Sequence, residues 1–131
     1  VGRRLEILIL DDEPLVGRRL KPILEREYHV EIFVEPKKAL ARMQEKIFDI
    51  VVTDIRMEEL DGLQVLENVR AKSPETKVIM ITGYATLETA REAVTKGAFN
   101  FIAKPFRIGT IRDAIMKAAQ ALENERAGGK F

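Results

Sequence analysis

The sequence predicts an α/β fold: a parallel sheet with helices on both faces. Two observations carry that prediction. Short apolar runs alternate with segments of helical periodicity five times along the chain, and four of those runs end on a polar residue of a different chemical kind. Leu8-Ile9-Leu10 leads to Asp11-Asp12, Ile50-Val51-Val52-Thr53 to Asp54, Val78-Ile79-Met80-Ile81 to Thr82, and Phe101-Ile102-Ala103 to Lys104. Continuous apolar runs suit strands covered on both faces, and right-handed helical crossovers make successive strands parallel. Carboxylates, a hydroxyl and an amine then meet at the carboxyl edge of the sheet, where open α/β sheets bind ligands.

Leu5 to Leu10 is nearly all apolar and reads as the first strand. Asp12-Glu13-Pro14 opens a helix with an acidic cap and a first-turn proline, and Val16, Leu20, Ile23 and Leu24 keep helical spacing to about Glu27. Pro22 lies inside that helix and is expected to bend it, because its ring removes one backbone bond. Val30 to Val34 is a second strand, and Pro36 starts a helix through Ala39, Leu40 and Met43. Ile50 to Thr53 is the third strand, followed by a polar loop to Asp61-Gly62 and a helix carrying Leu63, Val65, Leu66 and Val69, which stops before Pro74. Lys77 to Ile81 is the fourth strand; after the loop Gly83-Tyr84-Ala85-Thr86 a helix runs from Leu87 to Lys96 and ends at Gly97. Phe99 to Ala103 is the fifth strand, and the last helix spans about Arg107 to Asn124, with Ile108, Ile111, Ile115, Ala118 and Leu122 as its sheet-facing stripe.

Composition sets bounds. At 131 residues and 46% apolar content the chain forms one domain with a real core. The 22 basic and 21 acidic residues leave a net charge of +1, which supports neither nucleic acid nor an anionic membrane as a partner. The absence of cysteine excludes disulfides and thiolate metal sites. No apolar stretch reaches the ~20 residues of a membrane span, and Val1-Gly2-Arg3-Arg4 lacks the apolar core of a signal peptide, so a cytoplasmic location is expected.

Each marked residue has a plain reading and a chemical one. Asp11-Asp12 can cap the first helix, Asp54 can be a loop acid, Thr82 a β-branched strand end and Lys104 a solvated charge. Taken together, three carboxylates past adjacent buried strands would repel one another unless a cation sat among them, and Mg²⁺ suits such an oxygen-rich place. Asp54 is then the natural nucleophile toward a phosphoryl group, with the Thr82 hydroxyl and Lys104 ammonium available to its oxygens. Pro105 makes a cis Lys104-Pro105 bond an expectation, and His29, the only histidine, falls in the turn before the second strand as a surface residue.

The pieces Leu8-Ile9-Leu10-Asp11-Asp12-Glu13-Pro14, Asp49 through Met57, Asp61-Gly62, Ile81-Thr82-Gly83-Tyr84, Gly97-Ala98-Phe99 and Lys104-Pro105-Phe106 occur in order and at family spacing. In them the chain resembles the CheY-like receiver domain of bacterial two-component response regulators, from about Glu6 to Leu122. The resemblance implies a flavodoxin-like doubly wound sheet of order 2-1-3-4-5 with five helices. It implies Asp54 as phosphoacceptor from a histidine kinase or a small donor. Mg²⁺ would be bound by Asp12, Asp54 and the Arg56 carbonyl, with Asp11 acting through water. Thr82 and Lys104 would hold the phosphoryl oxygens, with Thr82 and Phe101 as the switch pair that reshapes the face of helix 4, strand 5 and helix 5. The only catalysis implied is the domain's own phosphoryl transfer and slow dephosphorylation. The implied partners are a sensor histidine kinase or phosphotransfer protein, a second copy as a homodimer, and an output domain in a longer parent chain, with no direct contact to nucleic acid or membrane. Residues 1–124 would form the receiver domain and 125–131 a tail or the start of a linker.

Three departures from the family pattern involve four positions. Glu58 replaces the usual proline of the phosphorylation loop, and Phe101 replaces the tyrosine of many members. Arg56 and Tyr84 occupy positions that tune dephosphorylation in the family. A flavodoxin-type cofactor carrier is disfavoured, because Asp11-Asp12-Glu13 would repel a cofactor phosphate. An aspartyl-phosphate hydrolase is disfavoured because Arg56 stands where its acid/base aspartate belongs. A phosphorylation-independent interaction module on the same fold is the remaining alternative.

Overall fold

A computed structural model describes residues 4–58 and 60–128. The elements are β1 (Glu6–Leu10), α1 (Pro14–Leu24), β2 (His29–Phe33), α2 (Pro36–Glu45), β3 (Ile50–Asp54), α3 (Gly62–Lys72), β4 (Lys77–Thr82), α4 (Leu87–Thr95), β5 (Asn100–Ala103) and α5 (Ile108–Gly128). The five strands form one parallel sheet of order β2-β1-β3-β4-β5, as the resemblance implied.

Alternation along the strands divides the core into two halves. Ile7, Ile9, Ile50, Val52, Ile79, Ile81 and Ile102 pack with Leu20 and Leu24 of α1 and with Ile111, Ile115, Ala118 and Leu122 of α5. The intervening residues Leu8, Leu10, Val51, Val78 and Met80 pack with Ala39 and Met43 of α2, Val65, Leu66 and Val69 of α3, and Ala93 of α4. Both faces of the central strands are thus buried, which is why β1 and β3 read as unbroken apolar runs. Burial of each such aliphatic side chain contributes about 1.5–3 kcal/mol before the entropy of ordering it is subtracted.

Local sequence explains the helix starts. Pro14 and Pro36 occupy the first turns of α1 and α2. Asp61 with Gln64, and Thr86 with Thr89, form reciprocal capping boxes that satisfy otherwise unpaired amides at the starts of α3 and α4. Gly97 ends α4 with φ of 97°, a conformation that glycine adopts without strain. α1 runs unbroken through the exposed Pro22.

Two helix ends differ from expectation. α1 stops at Leu24, not near Glu27, because the Glu27 and Tyr28 amides both turn back to the Leu24 carbonyl before the chain enters β2. His29 is accordingly the exposed first residue of β2, paired with Glu6, not a turn residue. α5 continues to Gly128, past Asn124, because its last turns are tied to the amino-terminal edge of the sheet. There the Arg126 guanidinium donates to Asp49 Oδ1 at 2.7 Å and to Glu75 Oε1 at 3.0 Å, and Lys77 pairs with Glu125. Asp49 is buried and also accepts the Glu6 amide at 2.7 Å, so it joins α5 to the start of β1. Of the expected tail 125–131, residues 129–131 lie outside the described residues, as do Val1 to Arg3 of the amino-terminal stretch.

Arg126→Ala leaves the buried Asp49 carboxylate with its backbone partner alone. Because Arg126 is partly exposed, the expected loss is about 1 kcal/mol. Chemical denaturation checks this, and hydrogen exchange is expected to show the last turns of α5 opening first.

Candidate functional site

The register of the sheet brings the site together. Leu10 pairs with Thr53, so the next residues, Asp11 and Asp54, fall side by side at the carboxyl ends of two adjacent strands. Asp54 pairs with Ile81 and Thr82 with Ala103, which places Thr82 and Lys104 at the same edge. Alternation puts Asp11, Asp54 and Lys104 on the α1/α5 side, and Thr82 and Phe101 on the α3/α4 side.

Lys104 is the hub. Its Nζ lies 2.7 Å from Asp11 Oδ2 and donates to Asp54 Oδ2 and Glu13 Oε1, each at 2.9 Å. Burial works against the ammonium, but the bonds to Asp11, Asp54 and Glu13 outweigh it and hold its pKa above the ordinary lysine value. The Lys104-Pro105 bond is cis, as its sequence suggested.

Asp11 and Asp54 are 2% and 5% exposed, whereas Asp12 is open to solvent. Burial pushes the Asp11 carboxyl above its ordinary value, against the pull of Lys104 and the Glu13 amide. Asp12 is also raised, by partial desolvation and then by the neighbouring Asp54 charge. One oxygen from each of these three carboxylates can be chosen so that all lie within 4.8 Å of one another. Asp11 Oδ1 accepts the Glu13 amide at 2.9 Å, but the buried Oδ2 receives no directed hydrogen bond. Asp11, in ion-pair contact with Lys104 and gathered with two further carboxylates, belongs to an oxygen-rich cluster that fits a hard divalent cation.

The other site positions follow from neighbouring backbone. Thr82 is fully buried, and its Oγ1 accepts the Tyr84 amide at 3.0 Å. Asp54 Oδ1 accepts the Arg56 amide at 3.3 Å. Phe101 is half-buried against the α2/α3/α4 core, and Glu58 is exposed. The structure therefore gathers Asp11, Asp12, Asp54, Thr82 and Lys104 at one edge and separates His29 from them.

Three features escaped the sequence reading. Arg56 stacks on the Tyr84 ring at 4.2 Å, linking the loop after β3 to the loop after β4. Gly62 donates its amide to the Ile55 carbonyl at 2.7 Å, and a Cβ there would sit 2.1 Å from the Asp54 carbonyl oxygen. Glu13 occupies the N-cap position of α1 without a side-chain capping bond, and reaches Lys104 instead. The only sequence signal was a glutamate at a cap position that favours Ser, Thr, Asp or Asn, and it does not point to the partner.

Comparison with known proteins agrees with this geometry. The family model described as response regulator receiver domain matches residues 7–116. The chain belongs to that family. This receiver domain is 32% identical over 116 residues to the transcriptional regulatory protein ZraR of Salmonella typhimurium, covering 88% of the chain but 26% of the relative. The chain thus spans about a quarter of the length of the curated relatives it matches. A CheY-like receiver domain protein from Methanospirillum hungatei superposes with a TM-score of 0.89 at 31% identity, covering 94% of this chain and 99% of that one. A response regulator from Burkholderia pseudomallei, solved with a phosphorylated aspartic acid, a calcium ion and citrate, superposes with a TM-score of 0.78 at 26% identity, covering 92% and 72%. No helix among the described residues is long and apolar enough to cross a membrane.

Gly62→Ala forces the β3–α3 loop away from the Asp54 carbonyl. A backbone clash of this kind is expected to cost about 1–3 kcal/mol or more, and the amide resonances of Asp54 to Arg56 are expected to shift. Thermal denaturation and heteronuclear NMR check both outcomes.

Proposed function

We propose that this receiver domain is a phosphorylation-controlled signalling switch in which Asp54 accepts a phosphoryl group. The observation that carries the reading is the convergence of a buried, lysine-paired Asp54 with two further carboxylates and a buried threonine hydroxyl at one strand edge. The phosphorylated aspartate in the Burkholderia relative supports it.

Asp54 supplies the nucleophile: a carboxylate oxygen forms the bond to phosphorus as the bond to the donor breaks. Lys104 neutralises charge on the transferred group, and Thr82 supplies a hydroxyl donor from the opposite face of the sheet. Asp11, Asp12 and Asp54 form the proposed Mg²⁺ site, completed by the Arg56 backbone. Bound Mg²⁺ supplies positive charge that lowers the repulsion between an attacking carboxylate and an anionic donor. The donor class is the phosphohistidine of a sensor kinase or phosphotransfer protein, or a small acyl phosphate.

Phosphorylation biases two packings of the edge, because Thr82 and Phe101 share the α3/α4 side and the Thr82 hydroxyl, which accepts the Tyr84 amide, can turn to donate its own proton to a phosphoryl oxygen. The face of α4, β5 and α5 changes with them and controls an output domain or a second copy of the chain. ZraR is by name a transcriptional regulatory protein, which makes transcription the favoured output of a longer parent chain.

Incubation with acetyl phosphate and Mg²⁺ is expected to add one phosphoryl group by intact mass, and Asp54→Asn is expected to add none. Absence of the gain with both the small donor and a cognate kinase would favour the phosphorylation-independent module.

The raised carboxyl pKa values of Asp11 and Asp12 give a second expectation. Asp12→Asn removes a charge that the neighbouring Asp54 disfavours, so the metal-free variant is expected to melt slightly higher than the parent. It should also lose the rise in melting temperature that Mg²⁺ gives the parent. A variant that melts lower without metal, or still responds fully to Mg²⁺, contradicts the assignment.

A further inference from the structure

We infer that Glu13 competes with incoming phosphoryl oxygens for the Lys104 ammonium at the mouth of the site and so disfavours small dianionic phosphodonors. The inference rests on the Asp54 reading above and extends it to donor selection.

Glu13 sits where a short polar side chain would cap α1, yet it makes no capping bond to that helix. Its side chain spans to a lysine 91 residues away and meets Nζ at 2.9 Å while remaining 66% exposed. Ordering an exposed glutamate side chain costs rotamer entropy, so a compensating interaction has to hold it there. The Lys104 ammonium supplies that interaction.

The three carboxylates around Nζ are not equivalent. Asp11 and Asp54 are buried in the floor, whereas Glu13 approaches from outside. The bonded Glu13 and Lys104 side chains line an open groove together with Val16, Gly83, Pro105 and Phe106. An ammonium has three N–H donors, and three carboxylates lie within 2.9 Å of this one. Nζ already donates to Asp54 and Glu13 and is in ion-pair contact with Asp11, so an arriving phosphoryl oxygen competes with these carboxylates for it. Glu13 is the partner that competes from the side on which the donor enters. It also brings the local balance to four carboxylates, Asp11, Asp12, Glu13 and Asp54, against one ammonium. A small dianionic donor meets this repulsion with no other contacts, while a phosphohistidine carried on a protein offsets it across an interface.

The test compares the parent chain with Glu13→Gln and Glu13→Asp. Phosphorylation by acetyl phosphate at saturating Mg²⁺ is followed by intact mass over a range of donor concentrations. Inorganic phosphate is titrated into the metal-free proteins and followed by backbone amide shifts. Glu13→Gln is expected to lower KM for acetyl phosphate and tighten phosphate binding, each about two- to five-fold, the scale of an exposed ion pair. The rate at saturating donor stays unchanged, and both gains shrink at 1 M salt. Glu13→Asp keeps the charge but is one methylene shorter, and is expected to fall between the two. A purely structural role would change the melting temperature without this split.

Unchanged or weakened phosphate binding in Glu13→Gln overturns the inference, as does a gain confined to the saturated rate. If the parent accepts no phosphoryl group from acetyl phosphate or a kinase, the Asp54 reading fails, while the phosphate titration still decides the role of Glu13.

Discussion

One ammonium among crowded carboxylates is the arrangement on which the working edge of this domain depends. β1 and β3 are neighbours in parallel register, so Asp11, just past β1, and Asp54, the last residue of β3, emerge together from a buried surface. Two carboxylates side by side in a buried surface repel one another and lose much of their hydration. Lys104 counters this from β5, although β4 lies between β5 and β3. Neighbouring strands are about 4.8 Å apart, so only a long side chain crosses the end of β4 to reach Asp54. The same lysine is then placed to meet any anion that arrives.

The alternation of the strands assigns this chemistry to sides. Asp11, Asp54 and Lys104 continue the rows that pack on α1 and α5, while Thr82 and Phe101 continue the rows that pack toward α2, α3 and α4. Thr82 is buried at the rim between the two sides. A change in its hydrogen bonding therefore acts on the half of the core opposite Lys104. Around this rim the backbone leaves little slack: Gly62 packs against the Asp54 carbonyl at a distance that admits no side chain, and Arg56 and Tyr84 join the flanking loops.

α5 connects the two ends of the sheet. It begins beside Lys104 at the carboxyl edge and, over 21 residues or roughly 30 Å, reaches the amino edge. There Asp49, a buried carboxylate with no part in the proposed phosphoryl chemistry, holds both Arg126 and the start of β1. The segment that the sequence suggested as a departing tail is, to Gly128, a continuation of the helix. Glu125 and Arg126, expected at the start of a tail or linker, form ion pairs with Lys77 and with Asp49 and Glu75.

What the sequence determined by itself was the order of elements, the fold class and the residue types at the strand ends. Those depend on local periodicity, on turn chemistry at Gly97 and Asp61-Gly62, and on a sheet topology whose crossovers have one hand. The roles of Glu13, Gly62, Arg126 and the Arg56–Tyr84 pair were not legible, because each depends on a partner from elsewhere in the fold. Glu13 read as part of a helix cap and Arg126 as part of a linker, since composition and local spacing carry no information about a contact made 91 or 77 residues away. Only the tertiary structure decided those partners, because register and side-chain reach across the sheet, not local preference, bring such groups within hydrogen-bonding distance.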